Sequence, residues 1–237
     1  MQIRLFDGKD REHLLPFVYL RAVADVFMGA LTFRDRWKHL AADSVSVETV
    51  EDLHESLEST PDRCVLAALI PTTSFVEAVQ ALTPNQKLVC DDLVLAYHGK
   101  LPSNDPALAS YQSISIHKSA FTHIKNSWDI FLCNAHALMH DLTLLSKDGI
   151  SNTISDTNLI IGDGPIFIGS QANMEGVSLN TTEGPIFIDE GATIMEGSLL
   201  RGPLYVGKNS VIKMGTKVYA NCSCLLYTSD AADDLLC

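Results

Sequence analysis

From Ile188 an aliphatic residue returns at every sixth position, as Ile194, Leu200, Val206, Ile212 and Val218. Four residues after most of them stands a small one, Ala192, Ser198, Ser210, Thr216 and Cys222, with Leu204 as the exception. Helices place like residues on one face about every 3.6 positions and strands every second one, so neither yields this pattern. It predicts a parallel β-helix of hexapeptide repeats, in which each hexad forms one flat side of a triangular coil. The aliphatic side chain points inward, and the small residue lets the chain turn the corner. A longer period agrees: Gly-Pro followed by aliphatic, aromatic, aliphatic occurs at Gly164–Ile168, Gly184–Ile188 and Gly202–Val206. The second and third are 18 residues apart, one coil of three hexads, and the first two are 20 apart. About two extra residues are therefore expected to bulge near Asn180–Thr182.

Residues 1–125 show the alternation of short strands and helices found in α/β domains. Gln2–Phe6 reads as a strand ending at an Asp7-Gly8 turn. Thr32-x-x-Asp35 has the form of a capping box opening a helix through Arg36, Trp37 and Leu40. Cys64–Ile70 is a continuous apolar run that predicts one buried strand, stopped by Pro71. Ser74-x-x-Glu77 predicts a helix cap before Val76, Val79 and Leu82, and Lys87–Cys90 with Leu93–Tyr97 predicts a hairpin around Asp91-Asp92. Phe131, Leu138, Leu142 and Leu145 follow helical spacing, so one helix is expected over Ser127–Leu145. The Ser-, Asp-, Asn- and Gly-rich stretch Ser146–Asp156 reads as a linker.

The chain of 237 residues carries a formal net charge of −12 without a Lys/Arg cluster, which argues against a nucleic-acid polymer or an anionic membrane as partner. With no apolar run of membrane-spanning length and no leader pattern, a cytoplasmic protein is expected. Cys64, Cys90, Cys133 and Cys222 lack CxxC spacing and read as reduced structural cysteines. From Cys224 the hexad register breaks, and Cys224–Asp233 resembles the translation of a transposase-type sequencing adapter. The native frame is expected to be cut mid-coil near Ser223.

Several motifs together carry a family resemblance. They are Leu5-Phe6-Asp7, Leu14-Leu15-Pro16, Arg21-Ala22-Val23-Ala24-Asp25, Gly29, Thr32, Arg36-Trp37, Trp128-Asp129-Ile130-Phe131 with Asn134, Met195-Glu196-Gly197-Ser198, Arg201-Gly202-Pro203 and Lys213-Met214-Gly215. With them the chain resembles the bifunctional N-acetylglucosamine-1-phosphate uridylyltransferase/glucosamine-1-phosphate acetyltransferases, in the divergent branch found in Bacteroidetes-type bacteria. The chain departs from such proteins in lacking the Gly-rich loop followed by Arg, where Phe6-Asp7-Gly8 stands instead. It also has Ala22 in place of Pro, and Leu66-Ala67-Ala68 before Pro71.

The resemblance implies a nucleotidyltransferase-like α/β domain followed by a left-handed parallel β-helix. The chain is thus expected to divide into a head over 1–126, a connecting helix and linker over 127–157 and a β-helix over 158–223, with the adapter-like tail over 224–237 not native. The resemblance further implies transfer of a nucleotidyl group from a nucleoside triphosphate to a sugar 1-phosphate, with Mg²⁺, giving UDP-N-acetylglucosamine for cell-wall precursors. Acetyl-CoA would be a co-substrate only of a full-length protein, which the resemblance makes a homotrimer. After His140 there is no histidine, so the acetyltransferase base would lie beyond Ser223. The alternative is a non-catalytic nucleotide- or sugar-binding or oligomerisation head on an acyltransferase β-helix.

Candidate substrate residues in the head are Arg21, Asp25, Gly29 and Thr32. Arg21 suits a phosphate because guanidinium offers paired charge-assisted hydrogen bonds, or else it pairs with Asp25. Asp25 is either a Mg²⁺ ligand or that structural partner, and Thr32 either caps a helix or serves both cap and phosphate. Arg201 and Lys213 stand at outward β-helix positions, facing either substrate or solvent. His136 and His140 have zinc-like spacing, but a solvated helix face explains them more simply. Asp91-Asp92 reads as a solvated hairpin tip.

Overall fold

The computed structural model describes residues 2–40, 44–50, 62–146 and 153–225. Residues 147–152 of the expected linker and 226–237 of the expected tail lie outside them. The chain divides into two compact units, 1–133 and 134–237.

In the first unit the strands are β1 (Gln2–Phe6), β2 (Phe27–Met28), β3 (Leu31–Thr32), β4 (Ser44–Glu48), β5 (Arg63–Leu66), β6 (Leu69–Pro71), β7 (Gln86–Cys90), β8 (Leu93–His98), β9 (Gln112–Ser115) and β10 (Phe121–His123). The helices are α1 (Phe33–Leu40), α2 (Thr73–Ala81) and α3 (Ser127–Leu132). Six strands form one sheet in the order β4-β1-β5-β8-β7-β9. β1 lies between parallel partners β4 and β5, whereas β8 runs antiparallel to both β5 and β7. A strand flanked and covered in this way needs apolar side chains on both faces: Ile3 and Leu5 are fully buried and Phe6 nearly so. Arg4 is buried among them because its guanidinium donates to the Leu101 carbonyl at 2.6 Å and to Cys64 Sγ at 3.0 Å.

Three expectations need correction. The apolar run Cys64–Ile70 is two strands: it bends at Ala67-Ala68, and β6 leaves the large sheet to pair with β10. An unbroken apolar run records burial on both faces, not a straight path, and the two alanines leave room for the bend. The second helix is capped by Thr72, whose hydroxyl accepts from the Phe75 N–H, while Ser74 lies inside the first turn. The stretch Ser127–Leu145 is also not one helix. α3 stops at Cys133, where φ −96° and ψ 2° depart from helical values, and α4 (Asn134–Leu145) belongs to the second unit.

In the second unit, short strands stack in three parallel sheets, consistent with a β-helix. They are β11 (Leu159–Ile161), β12 (Ile166–Ile168), β13 (Asn173–Met174), β14 (Ser178–Asn180), β15 (Ile186–Ile188), β16 (Thr193–Ile194), β17 (Leu199–Arg201), β18 (Leu204–Val206), β19 (Val211–Ile212), β20 (Lys217–Val218) and β21 (Cys222–Cys224). The orders β11-β14-β17-β20, β12-β15-β18-β21 and β13-β16-β19 put every strand on its counterpart one coil away. Leu200 pairs with Val218, Ile188 with Val206 and Ile194 with Ile212, each 18 residues on. Ile188, Ile194, Leu200, Val206 and Ile212 are buried in one apolar column, as the six-residue period predicts.

The corner residues Ala192, Ser198 and Ser210 are buried too. Leu204 departs from their size because its position stacks in register on Ile186, so a large side chain there continues an apolar column. The extra residues fall at Asn180–Glu183, where Thr181 is buried: its hydroxyl accepts from the Gly164 N–H at 3.0 Å, and its own N–H donates to the Ile161 carbonyl at 2.8 Å. Gly202 closes the next corner, where an added Cβ would lie 2.2 Å from the Gly184 carbonyl oxygen. Phe167, Phe187 and Tyr205 form an aromatic stack along one sheet, and α4 packs beside β18 and β21.

Inward and outward neighbours on β17 make a direct test of this register. Leu200 is 2% exposed and Leu199 49%. Leu200→Ala is expected to cost about 3 kcal/mol in urea denaturation of the second unit, and Leu199→Ala less than about 0.5 kcal/mol. A reversed ranking contradicts the register.

Candidate functional site

Open α/β sheets bind ligands outside the carboxyl ends of their parallel strands, where the strand order reverses. In the first unit that place is the end of β1, since the next strand of the sheet, β4, lies on one side of it and the one after, β5, on the other. A cleft of about 350 Å³ opens there, lined by Asp7, Gly8, Lys9, Arg11, Glu12, Glu48, Thr49, Val50, Ser103 and Asn104.

Asp7, the first residue past β1, organises it. One carboxylate oxygen accepts from Arg11 Nη1 at 2.5 Å and from the Thr49 hydroxyl at 2.6 Å, and the other from the Val23 N–H at 3.0 Å. Residues 9–14 form a short 3-10 helix after Gly8, which brings Arg11 back beside Asp7. Arg11 then donates to the carbonyls of Val18 and Arg21 at 2.5 and 3.2 Å, tying down the segment between them. Burial pushes the Asp7 carboxyl above the usual carboxylate range, against the opposing pull of Thr49, Arg11 and the Val23 N–H. Below the cleft, Glu48 meets Arg4 at 3.2 Å and accepts from the Ser103 N–H at 2.7 Å, which fixes the 101–104 loop along the rim.

Arg21 is exposed and reaches this cleft through its backbone carbonyl on Arg11. Asp25 does not pair with Arg21: Arg34 of α1 takes its two oxygens at 2.8 and 3.0 Å, so a metal at Asp25 would have to displace that pair. Gly29 is the first turn residue of the β2–β3 hairpin, with φ +75°, a conformation that glycine adopts without strain. Thr32 caps α1, accepting from the Asp35 N–H at 3.0 Å and donating to its carboxylate at 2.7 Å. Asp25, Gly29 and Thr32 therefore do not line the cleft.

In the second unit Arg201 pairs with Glu183 at 2.6 Å and lines a groove of about 410 Å³ with Leu199, Lys217 and Tyr219. Lys213 follows β19, on another sheet, and is not part of that groove. His140 lies 3.3 Å from the buried Asp141, and among the described residues no group of three or more His, Cys, Asp and Glu is placed to hold a metal. Sequence reasoning missed Asp7, Arg11, Glu48 and Thr49 as a set. The available signal was Asp7 with Arg11 four residues on, directly after the first strand.

Cationic side chains of the first unit are mostly committed. Arg4, Arg11, Arg34, Arg36, Arg63 and Lys87 hold carbonyls or carboxylates, and Lys38, Lys100 and Lys118 pair with acids. Among the described residues of that unit, those with no side-chain hydrogen bond or ion pair are Lys9, Arg21 and Lys125. Of these, Lys9 lines the cleft, while Arg21 meets it only through its backbone carbonyl on Arg11.

The Asp7 hub yields two predictions. Arg11→Ala leaves a buried carboxylate without its charge partner and is expected to cost about 3 kcal/mol. The pH dependence has a defined sign. The folded state holds the Asp7 proton more tightly than the unfolded one, so this group's contribution is complete below the ordinary carboxylate range and is lost as pH rises through its raised pKa. Asp7→Asn should flatten that fall in urea-denaturation midpoints measured across a pH series. An unchanged slope would show that Asp7 does not cause it.

Comparison with known proteins bears on this geometry. A family model described as sugar nucleotidyl transferase matches residues 3–150. No curated protein matches the chain. The matched segment contains β1, the Asp7–Arg11 hub, Thr49 and every residue lining the cleft, and the chain belongs to the sugar nucleotidyl transferase family.

Proposed function

We propose that this protein is a sugar-1-phosphate nucleotidyltransferase that forms UDP-N-acetylglucosamine, with the triphosphate held in the cleft at the carboxyl end of β1. The family makes it a transferase acting on a nucleoside triphosphate and a sugar phosphate. The observation that supports the placement is Lys9, which lines the cleft without a side-chain partner beside an Arg11 already fixed by Asp7.

In such a transfer a phosphate oxygen of the sugar 1-phosphate attacks the α-phosphorus of the triphosphate. The bond from the α-phosphorus to its bridging oxygen breaks, and pyrophosphate leaves with the electron pair. The nucleophile is already an anion, so no general base is required. Positioning and neutralisation of charge do the catalysis. Lys9 supplies that charge at the rim, while the Asp7–Arg11–Thr49 bonds keep the surrounding loops from moving. Mg²⁺, when bound, would supply further neutralisation, and one or two protein carboxylates would suffice to hold it. Glu12, exposed on the cleft wall, is the carboxylate suited to it.

The stacked sheets of the second unit support a wider reading through the hexad period. In it they are a left-handed β-helix of the acetyltransferase kind, acetyl-CoA is a co-substrate of the whole protein, and that protein is a cytoplasmic homotrimer of the bifunctional family. The alternative, a binding or oligomerisation head without catalysis, draws on the absence of a Gly-rich phosphate loop after β1.

The test is release of pyrophosphate from UTP and N-acetylglucosamine 1-phosphate with Mg²⁺. Activity is expected, and Lys9→Ala should lower kcat/KM about tenfold, equivalent to about 1.4 kcal/mol of transition-state stabilisation. No pyrophosphate and no Mg²⁺-dependent binding of UTP by calorimetry would favour the non-catalytic head.

A further inference from the structure

Of the residues that follow β1, Asp7, Gly8, Lys9, Arg11 and Glu12 line the cleft, and Asp10 does not. The short 3-10 helix over residues 9–14 explains the sorting, because side chains three apart in such a helix lie over one another. Lys9 and Glu12 face the cleft together, and Arg11 and Leu14 lie on the inner side, Arg11 on Asp7 and Leu14 buried. Asp10 shares the third side with His13.

On that third side the Asp10 carboxylate meets a histidine from a distant strand. Nε2 of His123, the last residue of β10, stands 3.1 Å from one of its oxygens. The His123 side chain is only 7% exposed, and its buried Nε2 completes no hydrogen bond of full geometry, so the contact is chiefly electrostatic. Burial holds the imidazole below its ordinary range against the opposing pull of Asp10, which leaves the ring uncharged near neutral pH. A carboxylate only accepts, so the ring nitrogen turned towards it carries the hydrogen. His13 holds Asp10 less firmly, since it is 3.9 Å from the other oxygen and 63% exposed.

The direction of this one acid matters to the cleft. Asp7 is tied to Arg11 and Glu48 to Arg4, so neither competes for Lys9. Asp10 is next to Lys9 in the chain, and turned into the cleft it would pair with that lysine and repel a phosphate. We infer that His123 is a positioning residue of the anion cleft: by drawing the Asp10 carboxylate to the other side of the 9–14 helix, it keeps Lys9 available to a phosphate. His123 touches no substrate in this arrangement. That the anion is a triphosphate rests on the nucleotidyl-transfer reading; the sorting of Asp10 away from the cleft rests on the geometry.

Titration calorimetry of the full chain with Mg-UTP and with inorganic tripolyphosphate tests this. His123→Phe keeps a ring in place without the N–H and is expected to weaken both anions about fivefold, the effect of one added negative charge about 5 Å away. Adding Asp10→Asn to that variant should restore most of the loss, because the released side chain is then uncharged. Asp10→Asn alone should leave both affinities within about twofold of the parent. His123→Gln, whose amide donates from a similar position, should keep most of the parent affinity. A purely structural role for His123 predicts no rescue at Asp10. Parent-like affinity in His123→Phe, or a loss that Asp10→Asn does not restore, therefore overturns the inference. Binding of neither anion by the parent overturns it together with the nucleotidyl-transfer reading. Tripolyphosphate binding with this dependence on His123 and Asp10, without any binding of Mg-UTP, upholds the inference and overturns that reading instead.

Discussion

Asp7 leaves β1 with its carboxylate buried, and three separate stretches of chain, 4, 16 and 42 residues on, converge on it. Arg11 comes from the short helix that follows, Thr49 from the end of β4, and the Val23 N–H from the segment leading to β2. A buried carboxylate is costly unless each lone pair finds a donor. That cost disfavours any arrangement in which one of the three segments swings away. The cleft is thus held open by the same bonds that make the carboxylate tolerable, and Arg11 carries the constraint on to residues 18–21.

A related economy governs the other cations of the first unit. Arg63 donates to carbonyls at the end of α2, where helix geometry leaves acceptors without partners. Lys87, buried, donates to the carbonyls of Leu108 and Ala109 and fixes the short helix over residues 106–110. Arg36 donates to the Met28 carbonyl beneath the β2–β3 hairpin. These side chains act as staples for loops, which leaves few cations available for a ligand. A cation without a partner is more informative here than it would be on a lysine-rich surface.

The second unit was far more legible in the sequence than the site. Its fold repeats every coil, so a period of six in the aliphatics reports burial directly, and even the inserted residues near Thr181 showed as a break in spacing. In the head, local devices were readable: the Thr32–Asp35 cap, the hairpin at Asp91-Asp92 and the strand before Asp7. Long-range pairing was not. Asp25 had Arg21 four residues before it, but Arg34 holds it once α1 folds back. Asp7-Gly8 looked like a turn because nothing local distinguishes a solvated aspartate from one that meets Thr49 across two strands. Cys64–Ile70 misled for the same reason, since burial is recorded in composition and the change of sheet at Ala67 is not.

A chain of net charge −12 that takes two anionic substrates poses an electrostatic problem. At physiological ionic strength, charges more than about 8 Å apart across solvent are largely screened, so the overall negative field matters less than what lies within that distance of a phosphate. Several acids close to the carboxyl edge of the sheet are paired, Asp7 with Arg11, Glu48 with Arg4 and Asp91 with Lys118, whereas Glu12 on the cleft wall and Asp92 in the β7–β8 turn have no side-chain partner among the described residues. At the cleft itself the balance is set by a few groups: Arg11 is held by Asp7, and Lys9 stands without a side-chain partner. What a phosphate meets there depends on which acids are paired rather than on how many the chain carries.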